Sequence, residues 1–158
     1  MSRIISTTLE IDADGMASPC QHIPSPNTDS RPADSGIDMI VIHNISLPPQ
    51  QFGGQGIIQL FTNQLNPEEH PYYATIAHLK VSAHFLIRRE GQLIQFVSCN
   101  QRAWHAGASS WQNRERCNDF SVGIELEGSD ETAFNDAQYS TLQTLIDALR
   151  QRYPIKHI

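Results

Sequence analysis

Two ionisable side chains stand where buried strands are predicted, and their positions suggest catalysis. His43 ends an apolar run over residues 39–42, and Glu125 interrupts a second apolar run over 120–126. A carboxyl group in apolar surroundings is costly to ionise, so the pKa of Glu125 should rise toward neutrality. A carboxyl group tuned in this way suits a general base. A structural ion pair with an arginine is the open alternative, because ion-pair networks also perturb carboxylates.

A second carboxylate and two more histidines are candidates for the same site. Glu127 lies on the same strand face as Glu125 by alternation, so it could partner Glu125 or compete for its role. None of the seven histidines forms the His-Glu-x-x-His pair of a helical zinc site, so a metal site would combine separate strands and loops. His84, in a predicted hairpin strand, and His105, in a long loop, could each face His43. A purely structural role stays open for each histidine.

The elements that must position these residues predict an α/β fold, a single domain with a mixed β-sheet flanked by helices. Short apolar runs indicate buried strands, and an i, i+3, i+4, i+7 stripe indicates a helix that packs on the sheet. The predicted elements are a strand at 37–46 buried on both faces, a short helix at 57–65, a hairpin at 81–88 and 92–97, a second buried strand at 120–126, a helix at 135–153 and the start of a strand at 155–158. Asn135 and Gln138 form a predicted capping box at the start of the long helix.

Two segments lie outside these elements. Residues 1–36 contain four prolines and form a predicted lead-in with turns and an extended path, which leaves 37–158 as the main domain. Residues 100–119 form a predicted long polar loop that contains two tryptophans. Loops of this length in a compact domain are commonly functional.

Composition excludes several classes of protein. The net charge of −6 and the lack of a basic stripe argue against a nucleic-acid partner. No apolar segment approaches the ~18 residues of a membrane span, and the N-terminus has no signal-peptide core, so we expect a cytoplasmic protein. The odd count of cysteines, without a Cys-x-x-Cys spacing, predicts reduced thiols at Cys20, Cys99 and Cys117.

Several blocks of sequence, taken in order, resemble the zinc-dependent N-acetylmuramoyl-L-alanine amidases. The resemblance extends from Ile23 to the end of the chain and includes Ala-Trp-His-Ala-Gly at 103–107 and Val-Gly-Ile-Glu-Leu-Glu-Gly at 122–128. The other matching blocks lie at 41–49, 52–54, 77–89, 114–121 and 136–139.

The resemblance implies a fold, a reaction and a cofactor. The implied fold is the mixed sheet shared with peptidoglycan-recognition proteins. The implied reaction is hydrolysis of the amide between the lactyl group of (1,6-anhydro)-N-acetylmuramic acid and L-alanine in muropeptides. Such activity belongs to peptidoglycan recycling and influences β-lactamase induction. By resemblance, zinc is the cofactor, His43 is its first ligand and Glu125 is the general base that acts on the zinc-bound water.

The resemblance also implies a set of substrate-binding residues. Asn44, Trp104 and Arg116 match positions that line the muropeptide cleft. Lys80 stands where the family has a cleft-side arginine, so a point charge replaces a bidentate fork.

One departure from the family concerns the metal. A catalytic zinc site needs three protein ligands, and the resemblance places the other two, a His and an Asp, in a segment after the long helix. The sequence ends at Ile158, before such a segment, so we expect a C-terminally incomplete domain that is inactive by itself. A non-catalytic muropeptide-binding module is the alternative, and Glu125 argues against it because pure binding needs no buried carboxylate.

Overall fold

The computed structural model describes residues 8–158 of the chain. Part of the N-terminus, where the sequence predicts no signal peptide, lies outside the described residues. The α-helices in the described part of the chain are α1 (Gly56–Phe61), α2 (Pro71–Ile76) and α3 (Asp136–Arg152). The strands are β1 (Glu10–Ile11), β2 (Ala17–Ser18), β3 (Gln21–His22), β4 (Thr28–Ser30), β5 (Met39–Ile45), β6 (Phe85–Ile87), β7 (Leu93–Gln95), β8 (Gln101–Ala103), β9 (Ser110–Trp111), β10 (Arg114–Glu115) and β11 (Ser121–Glu127). Among these residues, no helix is both long and apolar enough to cross a membrane.

A five-stranded sheet with the order β3-β7-β6-β11-β5 forms the centre of the fold. Strand β11 runs parallel to both β5 and β6, whereas β6 and β7 are antiparallel. The sheet is therefore mixed, as predicted. The predicted hairpin is confirmed as β6 and β7, and its turn contains Gly91 with a φ of +83°.

Helix α3 covers one face of this sheet. Its predicted apolar stripe is confirmed, because Leu142, Leu145, Ile146 and Leu149 pack in one buried cluster with residues such as Ile124. At the helix start, the Gln138 side chain accepts a hydrogen bond from the backbone N–H of Asn135 at 3.0 Å, as in the predicted capping box.

Helices α1 and α2 contribute side chains to a second buried cluster. Ile57 and Phe61 of α1 and Tyr73 of α2 pack there with Leu86 of the sheet. Leu86 is the register partner of Glu125, so the side chains of this cluster and Glu125 share one face of the sheet. Helix α3 therefore packs on the opposite face from the candidate site.

Two sequence-based expectations were wrong in part. Strand β5 is not buried on both faces, because it forms an edge of the sheet and Ile42 is 38% exposed. The segment 100–119 is not a plain loop, because it contains β8, β9, β10 and a 3-10 turn over Cys117–Asp119. Apolar runs report burial propensity, but they do not show which strand lies at an edge.

The two ends of the chain also contact the domain. Residues 8–36 follow the extended path that was predicted, and β3 joins the main sheet beside β7. At the other end, the backbone N–H of Ile40 donates to the carbonyl of His157 at 2.9 Å. The strand predicted to start at 155–158 is present only as a single parallel bridge between His157 and Met39 of β5. The domain boundary at residue 36 stays a prediction. All three cysteines are free.

Candidate active site

His43 and Glu125 are register partners on two adjacent parallel strands. The Cα of His43 on β5 pairs with that of Glu125 on β11. Paired residues of neighbouring strands direct their side chains to the same face of a sheet. The imidazole of His43 and the carboxyl group of Glu125 therefore face the same side of the sheet from neighbouring strands.

The carboxyl group of Glu125 is buried without a partner. The residue is 8% exposed, and Oε2 has no hydrogen-bond partner in the part of the chain that the structure describes. Burial raises the pKa of Glu125 to about 8, in the direction expected from the sequence. A buried polar atom without a partner is uncommon and calls for an explanation such as a catalytic role.

The structural ion pair considered for Glu125 belongs instead to Glu127. The Arg88 guanidinium contacts the Glu127 carboxylate at 3.1 Å, and both side chains are buried. The backbone N–H groups of Gly53 and Arg89 donate to the same carboxylate at 2.6 Å and 3.3 Å. These donors occupy both oxygens of the Glu127 carboxylate, as expected of a structural residue.

His105 is the histidine that contacts His43. His43 Nε2 and His105 Nδ1 lie 2.9 Å apart, and the two rings meet edge to face. Burial lowers the pKa of His43. Burial also lowers the pKa of His105 well below its usual value, and the nearby His84, His43 and Arg31 add smaller effects in the same direction.

His84 lies deeper and serves the scaffold. Its Nδ1 accepts from the backbone N–H of Gly123 at 3.0 Å, and its Nε2 lies 2.9 Å from the carbonyl of Gln101. Burial and the Arg31 charge lower its pKa to about 3. Its ring packs against His105 and has no hydrogen bond to His43 among residues 8–158, so the structural alternative holds for this residue.

The four remaining candidates lie in different surroundings. Asn44 is exposed on β5 and donates to Asp130 at 2.8 Å, and Trp104 is partly exposed after β8. Arg116 borders a groove of about 450 Å³ between residues 108 and 116, and Lys80 is exposed before β6. Within the described chain, no hydrogen bond or ion pair joins these side chains to His43 or Glu125.

The residues present do not form a complete zinc site. No group of three or more His, Cys, Asp or Glu side chains lies together within residues 8–158 in a way that could hold a metal ion. His43 supplies one imidazole and Glu125 one unpartnered oxygen, whereas a catalytic zinc site takes three protein ligands. Any complete site needs donors in addition to these.

Sequence reasoning missed two residues next to the site. Ser121 lies 3.1 Å from His105 Nε2, and Gly123 faces the His105 ring so closely that a Cβ there would overlap it. A signal was available in the alternation of β11, where Ser121, Gly123, Glu125 and Glu127 share one face and Val122, Ile124 and Leu126 the other. A polar face on a fully buried strand indicates a functional layer.

Comparison with known proteins agrees with the family suggested by the motifs. A family described as N-acetylmuramoyl-L-alanine amidase matches residues 32–158. The chain is 55% identical over 141 residues to 1,6-anhydro-N-acetylmuramyl-L-alanine amidase AmpD of Citrobacter freundii, which covers 89% of this chain and 75% of the relative.

Solved structures show the same relationship. A crystal structure of a Se-Met AmpD derivative superposes with a TM-score of 0.87 at 55% identity, covering 89% of this chain and 79% of that one. Drosophila peptidoglycan recognition protein SA shares the fold, with a TM-score of 0.53 at 18% identity over 85% of this chain and 69% of that one. These matches confirm the predicted fold, and the chain belongs to the N-acetylmuramoyl-L-alanine amidase family.

Proposed function

We propose that this protein, when its zinc site is complete, hydrolyses the amide bond between the lactyl group of 1,6-anhydro-N-acetylmuramic acid and L-alanine in muropeptides. The observation that carries the proposal is the buried, unpartnered carboxyl group of Glu125 in register with His43. The name of the Citrobacter relative specifies the anhydro form of the sugar. A muropeptide of this kind is the proposed small-molecule substrate.

Glu125 is the proposed general base. It would accept a proton from the attacking water and pass that proton to the amine of the departing L-alanine. A group with a pKa near the working pH can both take up and release a proton, and burial raises the pKa of Glu125 to about 8. Glu127 cannot substitute while the Arg88 guanidinium and backbone N–H groups hold its carboxylate.

Zinc is the proposed cofactor, and His43 is the ligand that this chain offers. When bound, zinc lowers the pKa of its water and polarises the carbonyl under attack, which is what hydrolysis of an unactivated amide requires. Because residues 8–158 do not bring three ligands together, binding of the proposed zinc ion requires donors in addition to His43.

The substrate-binding roles follow from side-chain chemistry. Trp104 offers an aromatic face to a sugar, and Asn44 offers amide hydrogen bonds. Arg116 and Lys80 offer positive charge to the carboxylates of the stem peptide. Arg116 is held at a φ of +60°, a strained conformation for a residue other than glycine, and such strain clusters at functional sites.

The proposed location is the cytoplasm, and the proposed process is peptidoglycan recycling. Three free cysteines are consistent with a reducing compartment. In this compartment the substrates would be muropeptides released from the cell wall, and their removal would influence β-lactamase induction.

A first experiment measures what residues 1–158 do alone. We expect calorimetry to show weak zinc binding or none, because a single imidazole leaves most of the coordination shell to water. We expect no hydrolysis of anhydro-muramyl-tripeptide by mass spectrometry, although weak binding of that peptide should remain. Stoichiometric submicromolar zinc binding with turnover would show that ligands within this chain complete the site.

A second experiment tests Glu125 in a form of the protein that carries a complete zinc site. Glu125→Ala should retain zinc and lose about 10²–10⁴-fold in turnover, the usual effect of removing a general base. Glu90→Gln, which changes an exposed carboxylate in the hairpin turn, is the matched control and should retain turnover. Undiminished hydrolysis by Glu125→Ala would place the base elsewhere. Peptide binding without any turnover in that zinc-complete form, with Glu125 unchanged, would favour a muropeptide-binding module.

A further inference from the structure

Two side chains connect His43 to the interior of the sheet. His43 Nε2 lies 2.9 Å from His105 Nδ1, and His105 Nε2 lies 3.1 Å from Ser121 Oγ. The Ser121 hydroxyl donates to the backbone carbonyl of Cys117 at 2.6 Å. We call the three side chains of His43, His105 and Ser121 the imidazole relay.

The position of each proton in the imidazole relay follows from its last member. A carbonyl oxygen only accepts, so the single hydroxyl proton of Ser121 is committed to Cys117. Ser121 Oγ must then accept the proton on Nε2 of His105. A neutral imidazole carries one N–H group, so His105 Nδ1 is an acceptor and His43 Nε2 is the donor.

We propose that His105 and Ser121 are positioning residues that hold His43 in its Nε2–H tautomer and leave the lone pair of Nδ1 available to a ligand. No hydrogen bond reaches His43 Nδ1 from the described part of the chain. A partner on one ring nitrogen commonly determines which nitrogen of a histidine binds a metal. The use of Nδ1 for zinc rests on the proposed function, whereas the proton order rests only on these contacts.

The surroundings hold His105 in place. Asn118 Oδ1 accepts from the backbone N–H groups of His105 and Ala106 at 3.2 Å and 2.9 Å. Gly123, directly beneath the ring, provides space that no other residue would leave. His84 packs behind His105 with its own nitrogens engaged by backbone groups, so it does not compete for His43 or Ser121.

The test is nuclear magnetic resonance of the metal-free, ¹⁵N-labelled chain in the presence of a chelator. Long-range ¹⁵N–¹H correlations should show His43 and His105 both protonated at Nε2. A ¹⁵N–¹⁵N coupling across the hydrogen bond should join His43 Nε2 to His105 Nδ1, with the proton on His43. A proton on His105 Nδ1, or rings without such a coupling, would overturn the proposal. This readout needs neither zinc nor turnover, so it is independent of the proposed function.

A matched pair of variants tests the role of Ser121. In Ser121→Ala, the Nε2–H of His105 loses its acceptor, so the proton order should reverse, with His105 Nδ1 as donor and His43 protonated at Nδ1. Ser25→Ala is the control, because Ser25 is also buried but its hydroxyl bonds backbone groups of Phe61 and Asn27, outside the relay. An unchanged proton order in a folded Ser121→Ala variant would refute the role of Ser121. If that variant does not fold, the coupling in the unmodified chain decides the question.

Discussion

Two glutamates on one face of β11 have opposite environments. Glu127 is 1% exposed and its carboxylate is bound by the Arg88 guanidinium and by two backbone N–H groups. Glu125, two residues earlier, is 8% exposed and has a buried oxygen without any partner in the described chain. Burial raises the pKa of Glu125 to about 8, whereas Glu127 is held as part of an ion pair.

The difference shows that burial alone does not define a catalytic carboxylate. The Glu127 carboxylate connects Arg88 to Gly53, so its hydrogen bonds hold the backbone at Gly53 against the sheet. The Glu125 carboxyl group connects nothing, so its burial costs stability without a compensating contact. Glu125 therefore lowers the stability of the fold, whereas the neighbouring Glu127 has all its hydrogen bonds. A buried group that lowers stability in this way is typical of a functional site.

The largest expected effect on stability comes from removing the charge of Glu127. Glu127→Gln leaves the buried guanidinium of Arg88 without its counter-charge, which should lower the free energy of unfolding by about 3–5 kcal/mol. The measurement is urea denaturation at pH 7. Replacing Arg88 and Glu127 together with Met should recover part of the loss, because the uncompensated charge disappears. A loss below about 1 kcal/mol in Glu127→Gln would mean that the ion pair is not structural.

The next effect is the pH dependence that Glu125 imposes on stability. Its folded pKa of about 8 lies above the ordinary value of 4.5, so the folded state holds a proton that the unfolded state releases between these two pH values. The free energy of unfolding should therefore fall as the pH rises through this window, by at most ~1.4 kcal/mol per pH unit, and level off on either side.

Glu125→Gln isolates this contribution. The variant should lack the fall in the free energy of unfolding that Glu125 causes. Measured in the presence of a chelator, the variant should therefore become increasingly more stable than the unmodified protein from about pH 5 to pH 8. The buried histidines have lowered pKa values and change stability in the opposite direction, but they are common to both proteins. Parallel stability curves would show that Glu125 is ionised in the folded state at neutral pH.

Much of the fold could be predicted from the sequence because its signals are local. Each signal comes from residues that are close together in the sequence. Examples are the apolar stripe of α3, the hairpin around Gly91 and the buried run of β11. The motif blocks supplied the family, and strand alternation placed Glu125 and Glu127 on one face. The register of β5 against β11 then put His43 next to Glu125.

The rest depends on contacts between distant segments. Strand alternation could not show whether Arg88 forms its ion pair with Glu125 or Glu127, because the pairing depends on how β6 lies beside β11. The edge position of β5 depends on the strand order of the whole sheet. The Arg31 guanidinium reaches the carbonyls of Cys99 and Ser121 from the proline-rich lead-in, a contact that no local pattern encodes.

A smaller effect is expected from adding one methyl group at Gly123, two residues before Glu125 on β11. In Gly123→Ala the new Cβ would overlap the His105 ring, so the ring must move and the free energy of unfolding should fall by about 1–3 kcal/mol. Gly36→Ala is the control, because nothing lies within 4 Å of a Cβ at that position. The measurement is urea denaturation of both variants, and equal stabilities would show that His105 does not pack on Gly123.

The smallest effect is expected where a carboxylate is paired but exposed. Asp130 accepts a hydrogen bond from the Asn44 side chain at 2.8 Å at the open end of β5. Because water replaces the partner of an exposed group, Asp130→Ala should change the free energy of unfolding by no more than about 0.5 kcal/mol. The same denaturation series provides the measurement, with Glu127→Gln as its buried counterpart. A loss above ~1 kcal/mol would mean that pairing matters for stability even without burial.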